Sequence, residues 1–176
     1  IKNMQFPVVN HPDYVAKIND DNKFPIKKFG ALAKKLLDLR IVKKFHVPRE
    51  CSVDTLKSSH SLDYINHIKH KTLDIQLQKK IGFPINDSVV KRSFIATGGT
   101  VLASKLALDS KLACNTAGGS HHATFNYGAG YCVFNDVAVA ANYLKNKGLT
   151  RKILILDLDV HQGNGNSEIF QNDKDV

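Results

Sequence analysis

The chain has 176 residues, 43% of them hydrophobic, which is enough for one sizeable core and a single globular unit. Lys and Arg number 25 against 16 Asp and Glu, a net charge of +9, but Lys27, Lys28, Lys34, Lys35, Lys43, Lys44, Lys79 and Lys80 read as solvated helix faces without aromatic interleaving, so no nucleic-acid partner is expected. No apolar run reaches the roughly eighteen residues of a membrane span, and Ile1-Lys2-Asn3-Met4 has no apolar stretch behind it, so neither a span nor a signal peptide is read and a soluble cytoplasmic protein is expected.

In chain order, Met4-Gln5-Phe6-Pro7-Val8-Val9 reads as a first strand that Asn10-His11-Pro12 ends in a turn. Ile26 to Leu39 carries apolar residues at helical spacing, with Lys on the opposite face, and is expected to be an amphipathic helix. Ser52 caps a short helix after Val47-Pro48, and Ser59 to Ile68 puts Leu62, Ile65 and Ile68 on one helical face. Asn86-Asp87-Ser88 caps a long helix that runs to Leu108. Gly98 and Gly99 lie inside it, where glycine weakens a helix unless a neighbour approaches closely, so close packing is expected there. Further on, Leu112 to Ala117 and Ile153 to Leu156 are short apolar runs flanking a helical pattern from Val133 to Leu144. Strand, helix and strand at this spacing read as a parallel βαβ unit, with ligand chemistry beyond the C-terminal strand ends.

Two polar motifs sit at those strand ends. On an extended chain, alternate side chains share a face, so Asp157, Asp159 and His161 converge; two acids and an imidazole closing an apolar strand suit a divalent cation. Salt-bridging at a strand end is the bland alternative. In Gly118-Gly119-Ser120-His121-His122-Ala123, two adjacent imidazoles can supply a base and an acid, while the glycines allow close backbone approach. Tyr127 to Asp136 is a glycine loop that delivers aromatics to a helix start, either a slot for an elongated substrate or a packed turn. His11, His46, His60, His67 and His70 read as structural or surface histidines. Cys51, Cys114 and Cys132, odd in number and widely spaced, read as reduced thiols.

Taken together, Gly118-Gly119-Ser120-His121-His122-Ala123, Gly130-Tyr131-Cys132-Val133-Phe134-Asn135-Asp136 and Asp157-Leu158-Asp159-Val160-His161-Gln162-Gly163-Asn164-Gly165 resemble the histone deacetylase superfamily, in its order and near its spacing. The His-Gln-Gly-Asn-Gly ending and Lys23-Phe24-Pro25-Ile26-Lys27-Lys28 are most similar to the class IV branch and its bacterial relatives. The resemblance implies a three-layer α/β/α domain of the arginase/deacetylase type with a central parallel sheet. Residues 1–176 would form the N-terminal part of that single domain, its C-terminal part missing.

By that resemblance Asp159 and His161 would be metal ligands, and His121 and His122 the tandem histidines that activate water and protonate the leaving amine. Asp157 would hydrogen-bond His121 and help hold a potassium ion, Asn164 would orient His122, and Gly130 and Tyr131 would line the acyl-lysine channel. Zinc is the expected metal, with ferrous iron the alternative; the metal would polarise the acetamide carbonyl. The expected substrates are acetylated lysine in a protein or peptide, or an acetylated small amine. The family's third metal ligand, an aspartate, and its oxyanion-stabilising tyrosine come after the region matched here, and Asp173 and Asp175 lie too soon to serve, so this stretch alone is expected to be inactive. Two other readings compete: a catalytically inactive scaffold that binds acyl-lysine or acidic partners, and an arginase-like ureohydrolase. The latter needs a further aspartate two residues after His161, where Gly163 stands.

Overall fold

The computed structural model describes residues 6–176. Met4 and Gln5, expected in the first strand, lie outside them; among the described residues the strand is β1, Val8–Val9. It runs parallel to β2, Cys114–Asn115, with Val8 opposite Cys114 and Val9 opposite Asn115. His46 adds a third line of pairing: its N–H donates to the Val8 carbonyl at 2.9 Å and its carbonyl accepts from the Asn10 N–H at 3.1 Å.

Helices make up the rest of the ordered framework. They are α1 Lys28–Asp38, α2 Val53–Leu56, α3 Leu62–His70, α4 Ile75–Ile81, α5 Asp87–Ser110, α6 Asp136–Asn146 and α7 Asn164–Phe170, with a 3₁₀ turn at Pro12–Tyr14. The starts of α2 to α6 follow cap chemistry, in which a polar side chain accepts from an otherwise orphaned N–H of the first turn. Ser52 accepts from Thr55, Ser61 from Tyr64, Asp74 from Gln76, Asn86 from Val89 and Asn135 from Ala138.

At the centre lies α5, whose first three turns are buried on nearly every side through Val89, Arg92, Ser93, Phe94, Ile95, Ala96 and Thr97. The Ser93 and Thr97 hydroxyls donate back to the carbonyls one turn earlier, so neither is left unpaired in the core. The paired glycines allow close approach on two sides. A Cβ on Gly98 would overlap the Arg49 carbonyl oxygen, and one on Gly99 would overlap the Tyr14 hydroxyl. Helix α6 packs along α5, and their shared core gathers Tyr14, Leu56, Ile65, Ile68, Ile81, Phe83, Phe94, Phe134 and Val139.

Two expectations fail, and the helix set is larger than expected. Leu62 is 49% exposed whereas Ile65 and Ile68 are fully buried, because Tyr64 takes the inward position at the start of α3. Helices α4 and α7 were not foreseen; the register of α4 shows only once Asp74 caps it and Gly82, at φ 81°, ends it. Ile153 to Leu156 joins no sheet. Leu154 is 88% and Leu156 74% exposed, and the expected βαβ unit is not formed because no described strand pairs with the segment. Among the described residues, no helix is long and apolar enough to cross a membrane.

Candidate active site

The loop between β2 and α6 carries the tandem histidines, and the start of α6 holds that loop in place. Asp136, buried at the first position of α6, accepts from the Ser120 N–H at 2.7 Å and from the Gly119 N–H, and its other oxygen accepts from the Thr100 hydroxyl. Asn135 donates to the Ala123 carbonyl at 3.0 Å and to the Asn166 side chain at 2.9 Å. From the far side, the N–H groups of Gly165 and Asn166 at the start of α7 donate to the His121 carbonyl, at 2.9 and 3.3 Å.

Each imidazole has its Nδ1 engaged. His121 Nδ1 lies 2.6 Å from Asp157 Oδ2, and His122 Nδ1 lies 2.7 Å from Asn164 Oδ1. Both oxygens can only accept, so Nδ1 carries the proton in both rings and Nε2 is left as the atom that takes or gives one. The ring centroids are 4.2 Å apart. Hydrogen bonds from His121 and from the Asp159 N–H hold the Asp157 carboxyl below the usual carboxylate range.

The expected metal ligands stand beside this pair. Asp159 Oδ2 accepts from the His161 N–H at 2.7 Å, is 2.9 Å from His161 Nδ1 and is 3.9 Å from His121 Nε2. The His161 ring is 5.9 Å from that of His122. A carboxylate and an imidazole are the right donor types for zinc or ferrous iron, but zinc sites in proteins take three or four protein ligands. Among the described residues, no group of three or more His, Cys, Asp or Glu side chains is placed to hold a metal ion. Asp159 and His161 therefore fit such an ion in kind and fall short in number.

Two glycines here lie directly against the paired side chains. At Gly130, with φ 53°, a Cβ would stand 2.6 Å from His122 Cδ2; at Gly163 it would overlap Asp157 Oδ2 and lie 3.4 Å from His121 Nδ1. Tyr131, also left-handed at φ 65°, turns its ring onto Phe24 and Phe83, with centroids 4.9 and 5.2 Å away. Gly130 thus adjoins the histidines, while Tyr131 is half-buried in an aromatic cluster.

All eight site residues expected from sequence fall in this one region. Its supports Asp136, Asn135 and Thr100 were missed, although the Asn-Asp pair opening a helix was a cap signal in plain view. His67 and His70 lie away from the site on α3. His67 Nδ1 is 2.8 Å from the Thr72 hydroxyl, as suits a surface histidine.

Residues 23–176 match the family model for the histone deacetylase domain. The chain is 45% identical over 175 residues to an uncharacterized protein of Picosynechococcus sp., covering 98% of this chain and 58% of that protein. It is 29% identical over 169 residues to a protein of Arabidopsis thaliana named histone deacetylase 2, covering 87% of this chain and 42% of the relative. A crystal structure described as a histone deacetylase homolog complexed with SAHA superposes with a TM-score of 0.76 at 27% identity, over 94% of this chain and 47% of the other. The chain spans about half the length of the relatives it matches.

Proposed function

Since the chain belongs to the histone deacetylase domain family, we propose that it is the histidine-bearing part of a metal-dependent amide hydrolase that removes acetyl groups from lysine side chains or related acylated amines. The observation that carries this reading is the pair of imidazoles, each with Nδ1 tied to an acceptor and each with Nε2 left for proton transfer. Adjacent histidines with independent partners can divide two proton transfers. One ring takes a proton from water and the other gives one to the departing amine, at Nε2 in both cases. The Asp157 carboxylate, anionic over a wide pH range, stabilises a positively charged His121, and neutral Asn164 fixes the orientation of His122.

Asp159 and His161 would hold the metal, with further ligands from outside the described set. Bound there, zinc or ferrous iron would supply Lewis-acid polarisation of the acyl carbonyl. The two-metal, arginase-like alternative is disfavoured by Gly163, because that position lacks the carboxylate a second metal would need. An inactive binding scaffold has no use for two imidazoles with fixed tautomers.

The test compares a chain extended to its relatives' length, the same chain with His122→Ala, and residues 1–176 alone, for metal content and acetyl-lysine peptide hydrolysis. The extended chain is expected to bind about one metal ion and to hydrolyse the peptide. His122→Ala should lose roughly a hundredfold or more, and residues 1–176 should show no turnover. Metal without turnover in the extended chain would favour the scaffold, and absence of metal would overturn the reading.

A further inference from the structure

One buried titratable side chain in the core takes no part in the proposed chemistry yet reaches the loop that performs it. His60, in the connection between α2 and α3, is 1% exposed, and its ring packs against Tyr64 and Phe134 with centroids 5.8 and 5.3 Å away. Its Nδ1 is 2.9 Å from the Thr124 carbonyl oxygen, and its Nε2 accepts the Asn135 N–H at 2.9 Å. A carbonyl can only accept and an amide N–H can only donate. The two bonds together therefore require a neutral imidazole protonated on Nδ1. A second proton would turn Nε2 into a donor facing another donor.

The two backbone groups it joins flank the tandem histidines. Thr124 lies two residues after His122, and Asn135 opens the helix whose Asp136 carboxylate holds the N–H groups of Gly119 and Ser120, just before His121. We infer that His60 is a positioning residue for His121 and His122, a neutral buried imidazole that locks the end of their loop to the start of α6 and so sets the two rings against Asp157 and Asn164. The inference rests on the reading of those histidines as the reacting pair. Burial holds the imidazole down to about 4, so the neutral form persists through the ordinary working range.

The test uses the 176-residue chain with 15N-labelled histidine and reads the imidazole nitrogen and Nδ1 proton signals of His121 and His122 in three variants. His60→Leu removes both bonds, His60→Gln keeps an amide able to donate and accept, and Ile65→Val trims the same core away from the loop. The expected result is that His60→Leu shifts the His121 and His122 signals and speeds exchange of their Nδ1 protons by roughly tenfold or more. His60→Gln should restore much of this, and Ile65→Val should move neither signal. Unmoved signals in His60→Leu, or equal movement in Ile65→Val at the same loss of Tm, would overturn the inference. If His60→Leu does not fold, His60→Gln against Ile65→Val decides by the same signals. In a catalytically competent longer chain, His60→Gln should lower kcat with little change in KM. The imidazole signals need no turnover, so failure of the deacetylase reading leaves this result separately readable.

Discussion

The same buried imidazole makes stability depend on pH in a direction that follows from its environment. Burial lowers the His60 pKa from 6.5 to about 4, so between those values the unfolded chain binds a proton that the folded chain refuses. The stability is fully present above pH 6.5 and is lost as pH falls toward 4, below which both states are protonated and the loss levels off. A shift of this size corresponds to a loss on the order of 3 kcal/mol. Urea unfolding at pH 7 and pH 4.5 should therefore show a larger drop for the wild type than for His60→Gln, which has no proton to take up. Equal drops would sink the assignment. The contrast between His60 and the tandem pair also shows what a sequence reveals at this scale. His121, His122, Asp157, Asp159 and His161 were legible because adjacent imidazoles and alternating acids are chemically unusual. His60 was not, because its partners Thr124 and Asn135 are 64 and 75 residues away and nothing near it in the chain marks it as buried.

At the level of elements, local rules located most helices. Ser52 and Asn86 accept the hydrogen bonds their positions implied, and α5 tolerates two interior glycines for the reason expected, close approach of other backbone and side-chain atoms. That packing reverses an ordinary substitution rule. In a solvated helix interior, Gly→Ala stabilises by about 1 kcal/mol. In α5, Gly98→Ala places its methyl on the Arg49 carbonyl and should instead destabilise by roughly 1–3 kcal/mol, the usual range for overpacking. Thermal unfolding of the variant checks this, and a Tm at or above that of the wild type would show that the Arg49 segment yields. Where the local rules failed, long-range partners had decided the outcome. Leu62 fitted a helical face by spacing, yet Tyr64 took the core position by donating its hydroxyl to the Val133 carbonyl at 2.7 Å. The run Ile153 to Leu156 has the composition of a buried strand, and composition does not report whether a neighbouring strand is there to cover it.

For the molecule as a whole, that uncovered run is the principal liability. Leu154, Leu156, Leu158 and Val160, at alternate positions in the chain, are 88, 74, 85 and 91% exposed, Val160 within a bend. Ile153 and Ile155, at the intervening positions, are half-buried, and Asp157 further on reaches His121. The N–H groups of Leu154, Ile155 and Leu156 have no backbone partner among the described residues. An apolar stripe with open backbone groups is a template for pairing with another strand. The same residues that lead the chain to Asp157, Asp159 and His161 therefore carry its stickiest surface, so site geometry and self-association are coupled. The 176-residue chain should form oligomers that grow with concentration, and Leu154→Lys combined with Leu156→Lys should shift it toward monomer without lowering Tm, because neither side chain is packed. Light scattering on a size-exclusion column across a concentration series distinguishes the cases. A wild-type chain that stays monomeric throughout, or a double variant that associates as strongly, would mean that the stripe is covered from within the chain.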